Sequence, residues 1–253
     1  MNLNLYNKPL QHVKSIKFLG VHIDEKLNWK LHIDKVSKKL SKISGVLYMI
    51  GRSIPKNLMP NIYNALVTSH LYYCISVWGG NSSQLEPLFT AQKKSLRSLF
   101  RLKRARKHHD NWIYGHTKKH FNANNFLSVH NIYTYSTIIE TFKSLKTQEP
   151  KYVYNEIFSI SNINELMLNT PRVRLNTYFK NFNYMSPLLW NTTINSNVIN
   201  SFSTTLNYFK KQLKSYLMSM QKQFDADSWH PYNTDFLAFK TYQNKSKLNI
   251  CIY

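Results

Sequence analysis

Seven apolar residues, Trp29, Ile33, Val36, Leu40, Ile43, Leu47 and Ile50, recur at spacings of four and three. That period belongs to an α-helix and to no strand, so the stretch predicts one amphipathic helix of about six turns. Asn28 is placed to cap its start, and Ile54-Pro55 ends it. Just upstream, Lys17 to Ile23 suits a strand, with Phe18, Val21 and Ile23 apolar and Gly20 allowing close backbone approach. Asp24 to Asn28 then reads as the connecting turn.

Two more helical patterns follow closely. Leu58 to Val77 carries Ile62, Leu66 and Leu71 with Tyr63, Tyr72 and Tyr73. After a loop at Gly79–Ser83, Leu85 to Leu102 places Leu85, Leu88, Phe89, Leu96, Leu99 and Phe100 on one side. Successive helices with short connections outline a bundle. A further helix is expected at Tyr133–Leu145, closed by Glu149-Pro150, and a last one at Leu206–Met218. Between them, Arg172 to Trp190 alternates apolar and polar residues, which predicts one or two strands. The expected fold class is mainly α: a helical bundle preceded by a β-strand, with a smaller mixed α/β C-terminal region. The expected divisions are 1–28, 29–107, 108–220 and an irregular aromatic tail at 221–253.

Charge narrows the partners. The 253 residues hold 34 Lys+Arg against 12 Asp+Glu, a formal net charge of +22. Such a chain repels itself unless an anionic partner screens it, and nucleic acid is the commonest one. The densest run is "KKSLRSLFRLKRARK", with Lys93, Lys94, Arg97, Arg101, Lys103, Arg104, Arg106 and Lys107 and no acid among them. On a continuous helix Lys93, Arg97, Arg101 and Arg104 would form a ridge able to follow a phosphate backbone. Lys35, Lys38, Lys39 and Lys42 form a second basic face on the first helix. A merely solvated face, or a nuclear-import patch in "RLKRARK", are the competing readings. Phosphate contact is favoured for the first run because no nearby carboxylate offers a neutralising pair.

Other chemistries find little to work with. Two cysteines make no disulfide framework and no typical zinc cluster. His116 and His120 have the spacing of a metal pair but lack an accompanying helical Glu or Cys, so no metal site is expected. The oily stretch Ile62–Trp78 is interrupted by Asn64, Thr68, Ser69 and His70, so no membrane span is expected. An intracellular protein of the nucleus or cytoplasm follows. Phosphoryl or nucleotidyl transfer needs carboxylates converging from strands on two metal ions. Asp24 and Glu25 sit in a turn and Asp225 and Asp227 in the irregular tail, so no catalytic residue is assigned and the chain alone reads as no enzyme.

The series "FLGVHIDEKLNWKLHIDKVSKKLSKISGVLYMI", "LMPNIYNALVTSHLYYCISVWGG" and "LEPLFTAQKKSLRSLF" resembles the C-terminal third of non-LTR retrotransposon reverse transcriptases, of the jockey and CR1-like, LINE-type group. The likeness continues through "HTKKHFNANNFLSVHNIYTY", "TPRVRLNTYFKNFNYMSPLLWN" and "FSTTLNYFKKQLKSYL". It implies that Phe18, Leu19 and Gly20 match the primer-grip strand at the edge of the palm domain. It also implies that the helices from Trp29 to about Leu102 are the thumb, which clamps the template–primer duplex of RNA and DNA. The family's paired catalytic aspartates and endonuclease domain do not occur here, so the resemblance implies a truncated enzyme. Magnesium is implied only for the full-length polymerase, and no cofactor for this chain. Two departures stand out: Ser186-Pro187 replaces the usual Gly-Pro, and Thr192-Thr193 the usual Leu-Pro. The exposed strand edge would invite either the absent palm or a second copy of the chain.

Overall fold

The computed structural model describes residues 4–5, 8–9, 12–102, 107–108, 111–112, 117–151, 154–155, 160–162, 167–172, 180–195 and 205–223. It is mainly α, as the periodicity predicts.

The four-and-three repeat becomes helix α1, Lys30–Ile50. Ile33, Leu40 and Leu47 are buried, while Val36, Ile43 and Ile50 pack along the edges of the same stripe. That stripe lies against α5, Ser82–Phe100, the predicted third helix. Where the two helices meet, the Ser44 and Ser95 hydroxyls bond each other at 2.8 Å. Each has a backbone carbonyl of its own helix within reach, Leu40 for Ser44 and Ala91 for Ser95. Two polar side chains thus sit in the contact without an orphaned group.

Gly45, also in α1, is exposed, and a Cβ added there would meet nothing within 4 Å. Gly45→Ala should therefore raise stability by about 0.5–1 kcal/mol in a denaturant titration, because it restricts the unfolded chain without a native clash.

The single strand expected at Lys17–Ile23 is a hairpin. Strand β3, Ser15–Phe18, pairs antiparallel with β4, Val21–Asp24. Gly20 lies in the turn and not within a strand. Leu19 and Gly20 both adopt positive φ, 45° and 84°, as a tight two-residue turn demands. Smaller strand pairs are β1–β2 (Asn4–Leu5 with Lys8–Pro9), β5–β6 (Lys107–His108 with Asn111–Trp112) and β7–β8 (Ile160–Asn162 with Met167–Leu168).

The expected second helix is broken into segments. Helix α2, Met59–Tyr63, runs into a wider π-helical turn at Asn64–Thr68, then α3, Ser69–Tyr72. The chain breaks at Tyr73 and Cys74, extended and left-handed respectively, before α4, Ile75–Trp78. The buried Trp78 indole holds the break closed by donating to the Tyr73 carbonyl at 2.9 Å.

Helix α6, Thr117–Ala123, leads into α7, Val129–Thr147, capped by the Ser128 hydroxyl accepting from the Asn131 N–H at 3.3 Å. α7 is buried on most of its sides because α3, α4 and α5 pack on it, and so do the two helices that follow, Phe182–Asn195 (α8) and Leu206–Gln223 (α9). Helix α8, Phe182–Asn195, corrects the strand expectation over the described part of Arg172–Trp190. Met185, Leu188 and Leu189 recur at helical spacing and all are buried, so helical packing overrides the local alternation. Helix α9, Leu206–Gln223, stacks Phe209 on Phe142 of α7 at 4.2 Å, beside the fully buried Trp190. Asn191 next to that Trp both accepts from and donates to the backbone of Leu168, at 2.9 and 2.8 Å.

Candidate nucleic-acid interface

α1 carries the more open basic surface. Lys35, Lys38, Lys39 and Lys42 are all exposed, and their positions at i, i+3, i+4 and i+7 place them on one stripe beside the buried one. None has a carboxylate ion-pair partner among the described residues, where the ion pairs are His12–Glu25 and Lys143–Glu140. From Lys35 to Lys42 the stripe spans about 10 Å of helix axis, or roughly three phosphate spacings, so it faces about four successive phosphates of one duplex strand. Lys39 also reaches α3 electrostatically: burial lowers the His70 pKa and the Lys39 charge lowers it further.

The cations of α5 are placed otherwise. The helix ends at Phe100, with Arg101 left-handed at its C-cap (φ 52°), so the ridge expected through Lys93, Arg97 and Arg101 does not run on as one continuous helix past Phe100. Arg101 turns toward α1, its guanidinium 4.7 Å above the Tyr48 ring and donating to the Tyr48 hydroxyl at 3.4 Å. Lys93 is half-buried with its ammonium 4.2 Å over the Phe89 ring. Burial pulls the Lys93 pKa down, opposed by Glu86 and then reinforced by Arg97. Arg97 is half-buried, and Lys94 faces solvent. The cause is packing: α5 is covered by α1, α2, α6 and α7, so little of its circumference stays open. Lys103, Arg104 and Arg106 lie outside the described residues, as do His116 and the tail beyond 223, and of Lys107 only the backbone, in β5, is described.

The hairpin supplies the other candidate residues. Phe18 and Leu19 are 61% and 74% exposed at its tip. The Leu19 carbonyl accepts from the Tyr73 hydroxyl, and Gly20 sits against the same ring. The break between α3 and α4 therefore fixes where Phe18, Leu19 and Gly20 stand. Sequence reasoning missed this role of Tyr73, since nothing local marks the break. Among the described residues β3 pairs with β4 alone, leaving its outer edge open.

Asp24 has a structural task. Its carboxylate accepts from the N–H groups of Lys26, Asn28 and Trp29 at 3.1, 3.1 and 2.9 Å. These bonds hold a turn in which Leu27 and Trp29 are left-handed, a conformation costly for large side chains. Asn28 in turn accepts from the Lys30 N–H at 3.0 Å, so it helps begin α1 even though Trp29 occupies the cap position.

Between hairpin and helix lies a pH-sensitive contact. The buried His32 accepts the His22 N–H at its Nδ1, 3.4 Å away, and its ring meets the Trp78 edge at 5.1 Å. Burial, then His22, then Lys35 lower the His32 pKa below its usual 6.5. Folded His32 thus stays neutral where the unfolded chain takes up a proton. Stability should be full above about pH 6.5 and fall as pH drops from there through the lower folded value. His32→Asn keeps an acceptor and removes the titration, so its thermal midpoint should fall less steeply over this window. An unchanged slope would refute the assignment.

Among the described residues no group of three or more metal-ligating side chains converges, and no helix is long and apolar enough to cross a membrane. Neither a family model nor a solved structure matches the chain. A curated protein does: the RNA-directed DNA polymerase from mobile element jockey of Drosophila melanogaster is 26% identical over 104 residues, covering 38% of this chain and 11% of that protein. The chain therefore spans only about a tenth of the length of the relative it matches, and the likeness supports a relationship to reverse transcriptases.

Proposed function

We propose that this chain is a nucleic-acid-clamping unit related to the region downstream of the catalytic palm in jockey-type reverse transcriptases. It binds RNA, DNA or their hybrid duplex with little sequence preference, through the α1 stripe first and Lys94 second. The observation that carries this reading is the stripe itself: four exposed lysines in register, without carboxylate partners among the described residues, on a chain of net charge +22. Such a surface reads backbone phosphates and carries no donor–acceptor pattern for bases. The relationship to a polymerase supplies the class of partner. Phe18, Leu19 and Gly20, at an exposed tip, are placed to meet one end of the duplex.

Chemistry is not part of the proposed role. Asp24 spends its carboxylate on three backbone N–H groups, and Glu25 pairs with His12 at 3.9 Å. The chain binds without a metal and extends no primer by itself. Titration of a labelled duplex tests the binding, with and without a chelator, and primer extension with magnesium tests the absence of catalysis. Binding abolished by chelator, or robust extension, would overturn the reading.

A further inference from the structure

The π-helical turn at Asn64–Thr68 opens a cavity that the proposed duplex surface does not use. Its volume is about 400 Å³, within the range of small-ligand sites of roughly 300–1,000 Å³. Asn64 and Thr68 come from the π turn, Tyr72 from α3, Asn125 and Phe126 from the α6–α7 connection and Lys214 from α9. Widened turns of this kind recur at functional sites, because the extra residue redirects side chains that a regular helix would stagger.

The lining has a consistent chemistry. The side chains of Asn64, Thr68, Tyr72, Asn125 and Lys214 all carry N–H or O–H donors, and none makes a side-chain hydrogen bond among the described residues. Ser69, also at the wall, already donates its hydroxyl to the Ala65 carbonyl. No carboxylate is among the lining residues, and Lys214 supplies a full positive charge. Four neutral donors and the Lys214 cation, with Asn64, Asn125 and Lys214 exposed at the cavity's open side, suit an acceptor-rich anion. The apolar wall is aromatic: Phe126 is stacked on Tyr63 at 4.3 Å, and Tyr72 is braced edge-on by Tyr135 at 6.0 Å. Burial, with Tyr135 adding to it, raises the Tyr72 pKa, so its phenol stays a neutral donor.

We propose that this cavity binds one nucleotide, its phosphate on Lys214 and the amides of Asn64 and Asn125, its base against Tyr72. The nucleotide is either free or an unpaired residue of a single strand, since both present the same phosphate and aromatic base.

Calorimetric titration of the full chain with AMP, with inorganic phosphate and with a short oligothymidylate separates these sources. Lys214→Glu should weaken nucleotide or oligonucleotide binding about tenfold or more. Asn125→Asp tolerates the left-handed backbone at that residue (φ 53°) and should act in the same direction by placing a carboxylate in the cavity. Lys211→Glu makes the same charge change on α9 at an exposed residue outside the cavity, and should leave affinity within about twofold. Loss with AMP identifies a free-nucleotide site, and loss with oligothymidylate alone identifies a strand residue. Equal effects of Lys211→Glu and Lys214→Glu, or binding of none of the probes, would overturn the proposal. AMP is titrated without duplex, so failure here leaves the α1 reading standing, and failure of that reading leaves this one standing.

Discussion

Gln92→Leu should destabilise the fold by about 3 kcal/mol and lower the thermal midpoint by roughly 6–12 °C. Gln92 is fully buried on α5 and bridges the turn into α7. Its amide donates to the Leu127 carbonyl and accepts from the Val129 N–H, both at 2.9 Å. Leucine matches its bulk but leaves two backbone groups buried without partners, and each costs about 1–3 kcal/mol. Gln221, on α9, grips the same turn from the opposite direction. It accepts from the Ser128 N–H at 3.1 Å and the Asn131 amide at 3.0 Å, and donates to the Phe126 carbonyl at 3.0 Å. Because the two glutamines hold one segment, Gln92→Leu and Gln221→Leu should be non-additive, the double variant losing less than the sum. Strict additivity in urea titrations would show that the two contacts act independently.

The second large effect is on binding. Reversing Lys35, Lys38, Lys39 and Lys42 to Glu together should weaken duplex binding at least a hundredfold at low salt. Four phosphate contacts predict a log–log salt slope of about −3.6, hence roughly two orders of magnitude between 50 and 200 mM salt. The reversal removes that slope and adds repulsion. All four side chains are exposed and none packs in the core, so folding should be little affected. Reversing Lys93 and Arg101 makes the informative contrast. Their charges rest on Phe89 and Tyr48, so these changes should lower stability more than they lower duplex affinity.

The residues explain how much of this was legible. α1 was readable because its six apolar positions, with Trp29 just before them, obey one period over many turns, and burial of that stripe decides the helix. The hairpin was legible as β structure but not as two strands. The signal was present: Ile16 and Phe18 on one side, Val21 and Ile23 on the other, with Leu19-Gly20 between them as a two-residue turn. The breaks in the second helix were not legible, because Tyr73 and Cys74 are neither Gly nor Pro. Their conformations are set by the Trp78 indole below and the hairpin tip beyond.

The helical ridge expected past Phe100 is interrupted for a related reason. "RLKRARK" contains no helix breaker, yet α5 stops at Phe100, and Arg101 turns back to lie over Tyr48. Charge density in sequence located cations, but exposure depends on how many neighbours a helix has, and α5 has more than α1. The glutamine clamps and the cavity at Lys214 were out of reach, because Gln92 joins residues 35 and 37 positions away, Gln221 joins residues 90 or more away, and the cavity spans from the π-helical turn to α9.

One titration bears most directly on the central claim. Anisotropy of a labelled RNA–DNA duplex, measured over roughly 50–200 mM salt with the unaltered chain and the fourfold α1 variant, should give a steep slope for the first and a shallow one for the second. The difference between the slopes should be about 3–4. Equal slopes, or a flat dependence for the unaltered chain, would contradict the assignment of α1 as the duplex-binding surface.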